Sequence, residues 1–212
     1  NCEIFRLVGA DVIELYTEPD GEFPNHPADP SKHSTLKDLQ AKVKETGADL
    51  GFAFDGDGDR LGVVDETGKI RSADETLLLL AQDHLKRNPG KPVVFTVSNS
   101  ETLNTEIEQW GGQAWMTKVG HSFVEHAMRE QGALLGGEQS GHFFCGEDYY
   151  GFDDALVAAL RVLTIRSQGP SLSALMKDFP PVFQAPELRP SCPDDAKGKV
   201  IAEVTKHFQK TH

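Results

Sequence analysis

Between Phe54 and Arg60 the chain reads Phe-Asp-Gly-Asp-Gly-Asp-Arg, and this run constrains the fold more than any other. The apolar segment Asp49–Phe54 precedes it and reads as a buried strand ending at Asp55. Leu61-Gly62-Val63-Val64 follows and reads as a second strand. The acidic run therefore joins two strands and cannot sit inside a helix. Its glycines permit backbone angles closed to other residues, so the chain can curl until Asp55, Asp57 and Asp59 converge. Convergent carboxylates repel one another unless a cation sits among them. All-oxygen ligands suit Mg²⁺ or Ca²⁺, not Zn²⁺.

A calcium-binding helix-loop-helix competes for the same residues. Asp55, Asp57, Asp59 and Glu66 fall at positions 1, 3, 5 and 12 of such a loop. That loop needs glycine where this chain has Arg60, and helices where it has strand-forming residues. A purely structural acidic turn is a second alternative, at the cost of three uncompensated charges.

The remaining composition narrows the class. In 212 residues, Lys and Arg number 21 against 33 Asp and Glu, a formal net charge of −12. That balance argues against nucleic acid or an anionic membrane as partner, but not against a phosphorylated small molecule. No apolar run approaches the roughly 20 residues that cross a bilayer. Cys2, Cys145 and Cys192 form no CxxC pair. They read as reduced thiols in a cytoplasmic protein. The chain begins at Asn1 within what looks like a helix end and stops at His212 after a helical stretch, so both ends look cut.

In order along the chain, Asp11–Tyr16 is rich in β-formers and reads as a strand. Glu18–Ser34, with four prolines, reads as a long loop, and Thr35–Thr46 as a helix stopped by Gly47. Asp65-Glu66-Thr67-Gly68 is a hairpin turn that pairs Lys69-Ile70-Arg71 back. Helices are expected over Ala73–Arg87, Glu101–Trp110, His121–Glu130, Phe152–Arg166 and Ser171–Asp178, and strands over Pro92–Val97, Ala114–Thr117 and Ala133–Gly137. This alternation implies a parallel, helix-covered sheet. Pro180-Pro181 opens a linker, Pro186–Asp195 reads as loop, and Gly198–Phe208 is left open between strand and helix. The fold class is α/β, with mixed sheets covered by helices. Boundaries near residues 69 and 182 divide the chain into 1–69, 70–181 and 182–212.

Three further constellations carry polar chemistry. Gly136-Gly137-Glu138-Gln139-Ser140-Gly141-His142 alternates an acceptor, a hydroxyl and an imidazole along one rim, as a polyhydroxylated ligand requires. A solvated polar loop is the bland alternative. Lys118-Val119-Gly120-His121 opens a helix and forms a candidate anion site, against the alternative of charges at a helix start. Ser98-Asn99-Ser100 reads equally as an N-cap. The other histidines (His26, His33, His84, His126, His207, His212) have no metal-like spacing.

Together, Asp-Gly-Asp-Gly-Asp-Arg, Val-Gly-His and Gly-Glu-Gln-Ser-Gly-His, in this order and spacing, resemble the α-D-phosphohexomutase family, nearest its phosphomannomutase/phosphoglucomutase branch. Pro19–His26 and Gly151-Phe152-Asp153-Asp154-Ala155 share the resemblance. It implies two phosphohexomutase-type α/β domains, the second (partial, 1–69) and the third (70–181), with a stub of the fourth. It implies that Asp55, Asp57 and Asp59 hold Mg²⁺ and that Arg60 contacts a phosphoryl group. Glu138, Ser140 and His142 would then bind sugar hydroxyls. Gly120 and His121 would seat the substrate, with His121 and Lys118 assisting proton transfer.

The activity implied is interconversion of hexose 1-phosphate and hexose 6-phosphate through a phosphoserine and a hexose 1,6-bisphosphate, on mannose or glucose. The physics agrees. Phosphoryl transfer needs charge neutralisation and in-line placement, and three carboxylates around a divalent cation leave one net negative charge for Arg60 to cancel. No Ser-His-Asn-Pro nucleophile loop occurs in these 212 residues, so the chain alone is expected to be inactive. A non-catalytic, metal-dependent sugar-phosphate binding module is the alternative. Ser98 stands where some members carry lysine.

Overall fold

A computed structural model of the chain describes residues 1–182 and 190–211. Two sheets and their helices make up the fold. The first sheet is an antiparallel meander of β1 (Leu50–Phe54), β2 (Leu61–Asp65) and β3 (Ile70–Arg71), in the order β1-β2-β3. Its register sets Phe54 opposite Leu61 and Leu50 opposite Asp65, so the acidic run is the connection of a hairpin. Helix α1 (Cys2–Leu7) packs Phe5 against Phe52 at 5.6 Å between ring centroids. Helix α2 (Lys37–Thr46), entered through a 3₁₀ turn at His33–Leu36, covers the sheet and ends at a left-handed Gly47.

Helix α3 (Ala73–Arg87) then begins at a complete capping box. Glu75 N–H donates to Ser72 Oγ at 3.1 Å, and Ser72 N–H to the Glu75 carboxylate at 2.9 Å. The second sheet follows: β4 (Pro92–Thr96), α4 (Glu101–Gln109), β5 (Gln113–Thr117), α5 (His121–Gln131), β6 (Leu135–Gly137) and β7 (Phe143–Cys145). Its order is β5-β4-β6-β7, parallel except for the antiparallel edge strand β7. Helices α6 (Ala155–Ser167), α7 (Leu172–Leu175) and α8 (Asp194–Thr211) complete the described chain.

The period of two along the strands sorts the cores. Val93 and Phe95 of β4, with Phe143 and Cys145 of β7, join Leu77–Leu80 of α3, Leu103 and Ile107 of α4 and Ala158–Ala159 of α6. Val94 and Phe144, one residue out of step, face Val124, Ala127 and Met128 of α5. Hence β4, covered on both faces, is buried at all five positions and reads as a continuous apolar run. Leu61 and Val63 of β2 belong to the larger core, which therefore joins both sheets. Burying each such Leu contributes on the order of 2 kcal/mol.

Several expectations need correction. Asp11–Tyr16 is not a strand; with no strand beside it among the described residues, its β-formers lie along the surface with only Val12 and Leu15 half-buried. Gly198–Phe208, left open between strand and helix, lies in helix α8, with Val200, Ile201, Val204 and Phe208 at helical spacing and exposed. The antiparallel strand β7 was not anticipated. Helix α6 starts at Ala155, not Phe152, because Asp154 caps it by accepting from the Leu156 and Val157 N–H groups. The linker reading over 183–189 lies outside the described residues. The three cysteines are free thiols.

Candidate active site

Asp55 organises the acidic turn. Its Oδ1 accepts the Gly58, Asp59 and Arg60 N–H groups, each at 3.1 Å, and its Oδ2 accepts Arg60 Nε at 2.5 Å. Gly58, at φ +80°, supplies the left-handed residue this curl requires. Burial pushes the Asp55 carboxyl up, but the Arg60 backbone N–H and guanidinium outweigh it and hold it below the ordinary carboxylate value. Asp59 moves the other way: burial raises its carboxyl, and neighbouring Asp55 and Asp57 add to the rise. Asp59 Oδ1 is buried without a hydrogen-bond partner among the described residues.

Ligand atoms of Asp55, Asp57 and Asp59 lie within 4.8 Å of one another. An orphaned buried oxygen, a carboxyl raised by burial and by its acidic neighbours, and an all-carboxylate donor set fit a hard divalent cation. The helix-loop-helix alternative is excluded by the flanking strands β1 and β2. Glu66 is also engaged elsewhere: its carboxylate accepts the Ser173 N–H at 3.2 Å and the Ser173 hydroxyl.

Arg60 has a second carboxylate partner that sequence reading missed. Its Nη1 stands 3.2 Å from Asp29 Oδ1, in the proline-rich loop, and Asp29 in turn pairs with Lys32 at 3.0 Å. Thirty-one residues separate Asp29 from Arg60, and no local pattern marks the pair.

The Glu138–His142 loop connects β6 to β7 and lies directly against the acidic turn. Arg60 and His142 face each other in an antiparallel bridge, and Leu61 N–H donates to the Gly141 carbonyl at 3.0 Å. His142 Nε2 stands 3.4 Å from Asp59 Oδ2, while its Nδ1 meets Ser140 Oγ at 2.7 Å. Glu138 is 4% exposed, and its Oε1 has no hydrogen-bond partner among the described residues. Burial raises the Glu138 carboxyl, opposed by His142, the Gly120 N–H and His121.

Asp153 ties the two histidines into one group. Its carboxylate lies within 4.8 Å of ligand atoms of Asp59 and His142, and likewise of His121 and Glu125. The Gly151–Ala155 run held this residue in plain sight, but nothing in its spacing gave it a role. The Lys118 ammonium sits 5.6 Å above the Phe123 ring centroid, on an aromatic face. Asn99 is structural: it donates to Asp74 at 2.5 Å and accepts from Thr96 N–H at 2.9 Å, and Ser100 caps α4.

Comparison with known proteins follows this geometry. Residues 2–68 match the family described as phosphoglucomutase/phosphomannomutase, alpha/beta/alpha domain II, and residues 72–183 match its domain III. The chain is 48% identical over 200 residues to a phosphomannomutase/phosphoglucomutase of Pseudomonas putida, covering 94% of this chain and 43% of that protein. It is 45% identical over 201 residues to a phosphoglucomutase of Neisseria gonorrhoeae, covering 95% and 44%. The crystal structure of a phosphoglucomutase/phosphomannomutase family protein from Burkholderia thailandensis superposes with a TM-score of 0.83 at 43% identity, over 87% of this chain and 40% of that one. The chain thus spans less than half the length of these relatives. It belongs to the phosphoglucomutase/phosphomannomutase family of α-D-phosphohexomutases.

Proposed function

We propose that this chain carries the cation site and the sugar-recognition rim of a Mg²⁺-dependent phosphohexomutase that interconverts hexose 1-phosphate and hexose 6-phosphate. One observation supports this above the others: three convergent carboxylates sit against a loop whose Glu138, Ser140 and His142 form a polar rim. Asp55, Asp57 and Asp59 would hold Mg²⁺, which when bound supplies charge neutralisation for a transferring phosphoryl group.

The chain's own residues then have distinct tasks. Arg60, steered by Asp55 and Asp29, offers its remaining N–H groups to the phosphoryl oxygens. Glu138, buried and with one free oxygen among the described residues, accepts a sugar hydroxyl, and Ser140 and His142 complete the rim. His121, with the Gly120 N–H beside it, seats the substrate, and it is the side chain proposed to take the proton of the attacking hydroxyl. Lys118 contributes positive potential from its seat on Phe123. Mannose and glucose phosphates are the proposed substrates, with a hexose 1,6-bisphosphate as intermediate and a phosphoserine as donor.

A second reading draws on the sequence, which holds no Ser-His-Asn-Pro loop: a module that binds metal and sugar phosphate without turning it over. Both are tested by titrating the chain with glucose 6-phosphate in Mg²⁺, then following ³¹P signals of glucose 1-phosphate with the bisphosphate added. Binding that Glu138→Ala weakens tenfold or more supports the shared site; interconversion by the chain would exclude the module, and its absence is the result expected of a chain without the serine loop. No binding of either hexose phosphate contradicts both.

A further inference from the structure

Backbone contacts join the acidic turn to the sugar rim. Leu61 N–H donates to Gly141 C=O at 3.0 Å, Arg60 bridges His142, and Ala155 N–H, at the start of α6, reaches the Gly58 carbonyl at 3.4 Å. Gly141 is what permits this approach. Its φ is +98°, and a Cβ there would stand 3.0 Å from the Leu61 carbonyl oxygen and 3.6 Å from Leu61 N. Those are main-chain atoms of a paired strand, so they cannot swing aside as a flexible side chain would.

Two side chains serve both sets of ligands. Asp59 belongs to the carboxylate trio and is also the partner of His142 Nε2 at 3.4 Å. His142 belongs to the rim and is held to Ser140 at 2.7 Å. A ligand that fixes Asp59 therefore acts on His142, and a ligand that fixes His142 acts on Asp59. The bridge carries the same constraint through the main chain.

We infer that the cation site and the sugar rim bind cooperatively, each ligand tightening the other, with Gly141 as the positioning residue that couples them. This rests on the assignments under Proposed function. Whichever ligand binds first orders the shared backbone, and the second meets it already ordered. Reciprocity follows from linkage, so the same factor must appear in either order of addition. Direct attraction between Mg²⁺ and a phosphate also favours joint binding, but it does not run through Gly141.

Calorimetry on the 212-residue chain separates these effects. Mg²⁺ and glucose 6-phosphate are each titrated alone and in the presence of the other, in the wild type and in Gly141→Ala. The wild type is expected to show each ligand tightening the other about fivefold or more, and Gly141→Ala less than about twofold, with Mg²⁺ affinity alone within about twofold of wild type. Equal coupling in the two proteins assigns it to direct charge attraction and overturns the inference. Independent binding in the wild type overturns it too, while leaving the functional reading intact. Failure of both ligands to bind the wild type removes the functional reading and the inference with it. Should Gly141→Ala not fold, hydrogen exchange at the Leu61 amide of the wild type decides. Glucose 6-phosphate without Mg²⁺ must slow that exchange several-fold, and unchanged exchange overturns the inference.

Discussion

Arg60 and His142 face each other across an antiparallel bridge, although they lie in the two separately matched segments of the chain. The acidic turn and the polar rim are thus one backbone surface. Arg60 is held by Asp29 from a distant loop, and Asp59 by His142 from the other segment.

Asp29 is one such neighbour. Its contact with Arg60 is partly exposed, so removing it costs stability only about 0.5 kcal/mol. The effect on ligand orientation is larger. Asp29→Ala is expected to weaken glucose 6-phosphate binding about threefold to tenfold while the melting temperature shifts by only a few degrees. Calorimetry and thermal melts read the two separately, and unaltered sugar-phosphate affinity would show that Asp29 does not steer Arg60.

Glu66 and Ser173 supply a pH-dependent link between the hairpin turn and the start of α7. Burial pushes the Glu66 carboxyl up, but hydrogen bonds from Ser173 and Ser171 outweigh it and hold it at about 2, against 4.5 ordinarily. A depressed carboxyl stabilises the fold above its unfolded value, and that contribution fades as pH falls from about 4.5 towards 2. Discounted for solvent screening, it is worth about 1 kcal/mol. Glu66→Gln should therefore melt below wild type at pH 6 and converge with it near pH 2.5. A gap of the same size at both pH values contradicts this.

Asp65 and Arg71 form a buried pair across the same hairpin, at 2.6 Å, with side chains 0% and 7% exposed. Asp65 also accepts the Thr67 and Lys69 N–H groups at 2.9 and 3.0 Å. Asp65→Ala leaves the buried Arg71 guanidinium to Glu75 alone, 3.1 Å from its Nη1, and strips the turn N–H groups of their acceptor, and denaturant unfolding should register a loss of about 3 kcal/mol. A loss below 1 kcal/mol would mean water replaces the carboxylate.

Gly137 is enclosed by α3. A Cβ there would stand 2.9 Å from Leu77 Cδ2 and 3.3 Å from its Cγ, and Leu77 is fully buried. Gly137→Ala should destabilise by about 1–3 kcal/mol through overpacking, measured by chemical denaturation. A stabilised variant would mean that α3 moves more freely than its burial implies.

Some of this was legible in the chain itself. Alternating glycine and aspartate between two apolar runs fixes a hairpin, and Ser72 with Glu75 marks the start of α3, because both depend on neighbouring residues alone. Asp11–Tyr16 misled because β-propensity without a partner strand makes no sheet. The strand Phe143–Cys145 was hidden because three residues carry no period, and pairing with Leu135–Gly137 is what defines it. Gly198 and the β-branched Val200, Ile201 and Val204 masked the helical spacing of α8. Within the site, the carboxylate trio and the rim lie in short motifs. Asp29 and Asp153 join them only through tertiary contact.

The central claim is a Mg²⁺ site made by Asp55, Asp57 and Asp59. Asp55 is unsuited to testing it, since its three N–H acceptor bonds shape the turn. Asp57 is exposed and can be changed without disturbing that frame. The decisive measurement is calorimetric titration of Mg²⁺ into the wild-type chain and into Asp57→Asn, at matched melting temperatures. The account predicts one Mg²⁺ site in the wild type, weakened tenfold or more by the substitution. Equal Mg²⁺ affinity in the two proteins, or no Mg²⁺ binding by the wild type, would contradict it.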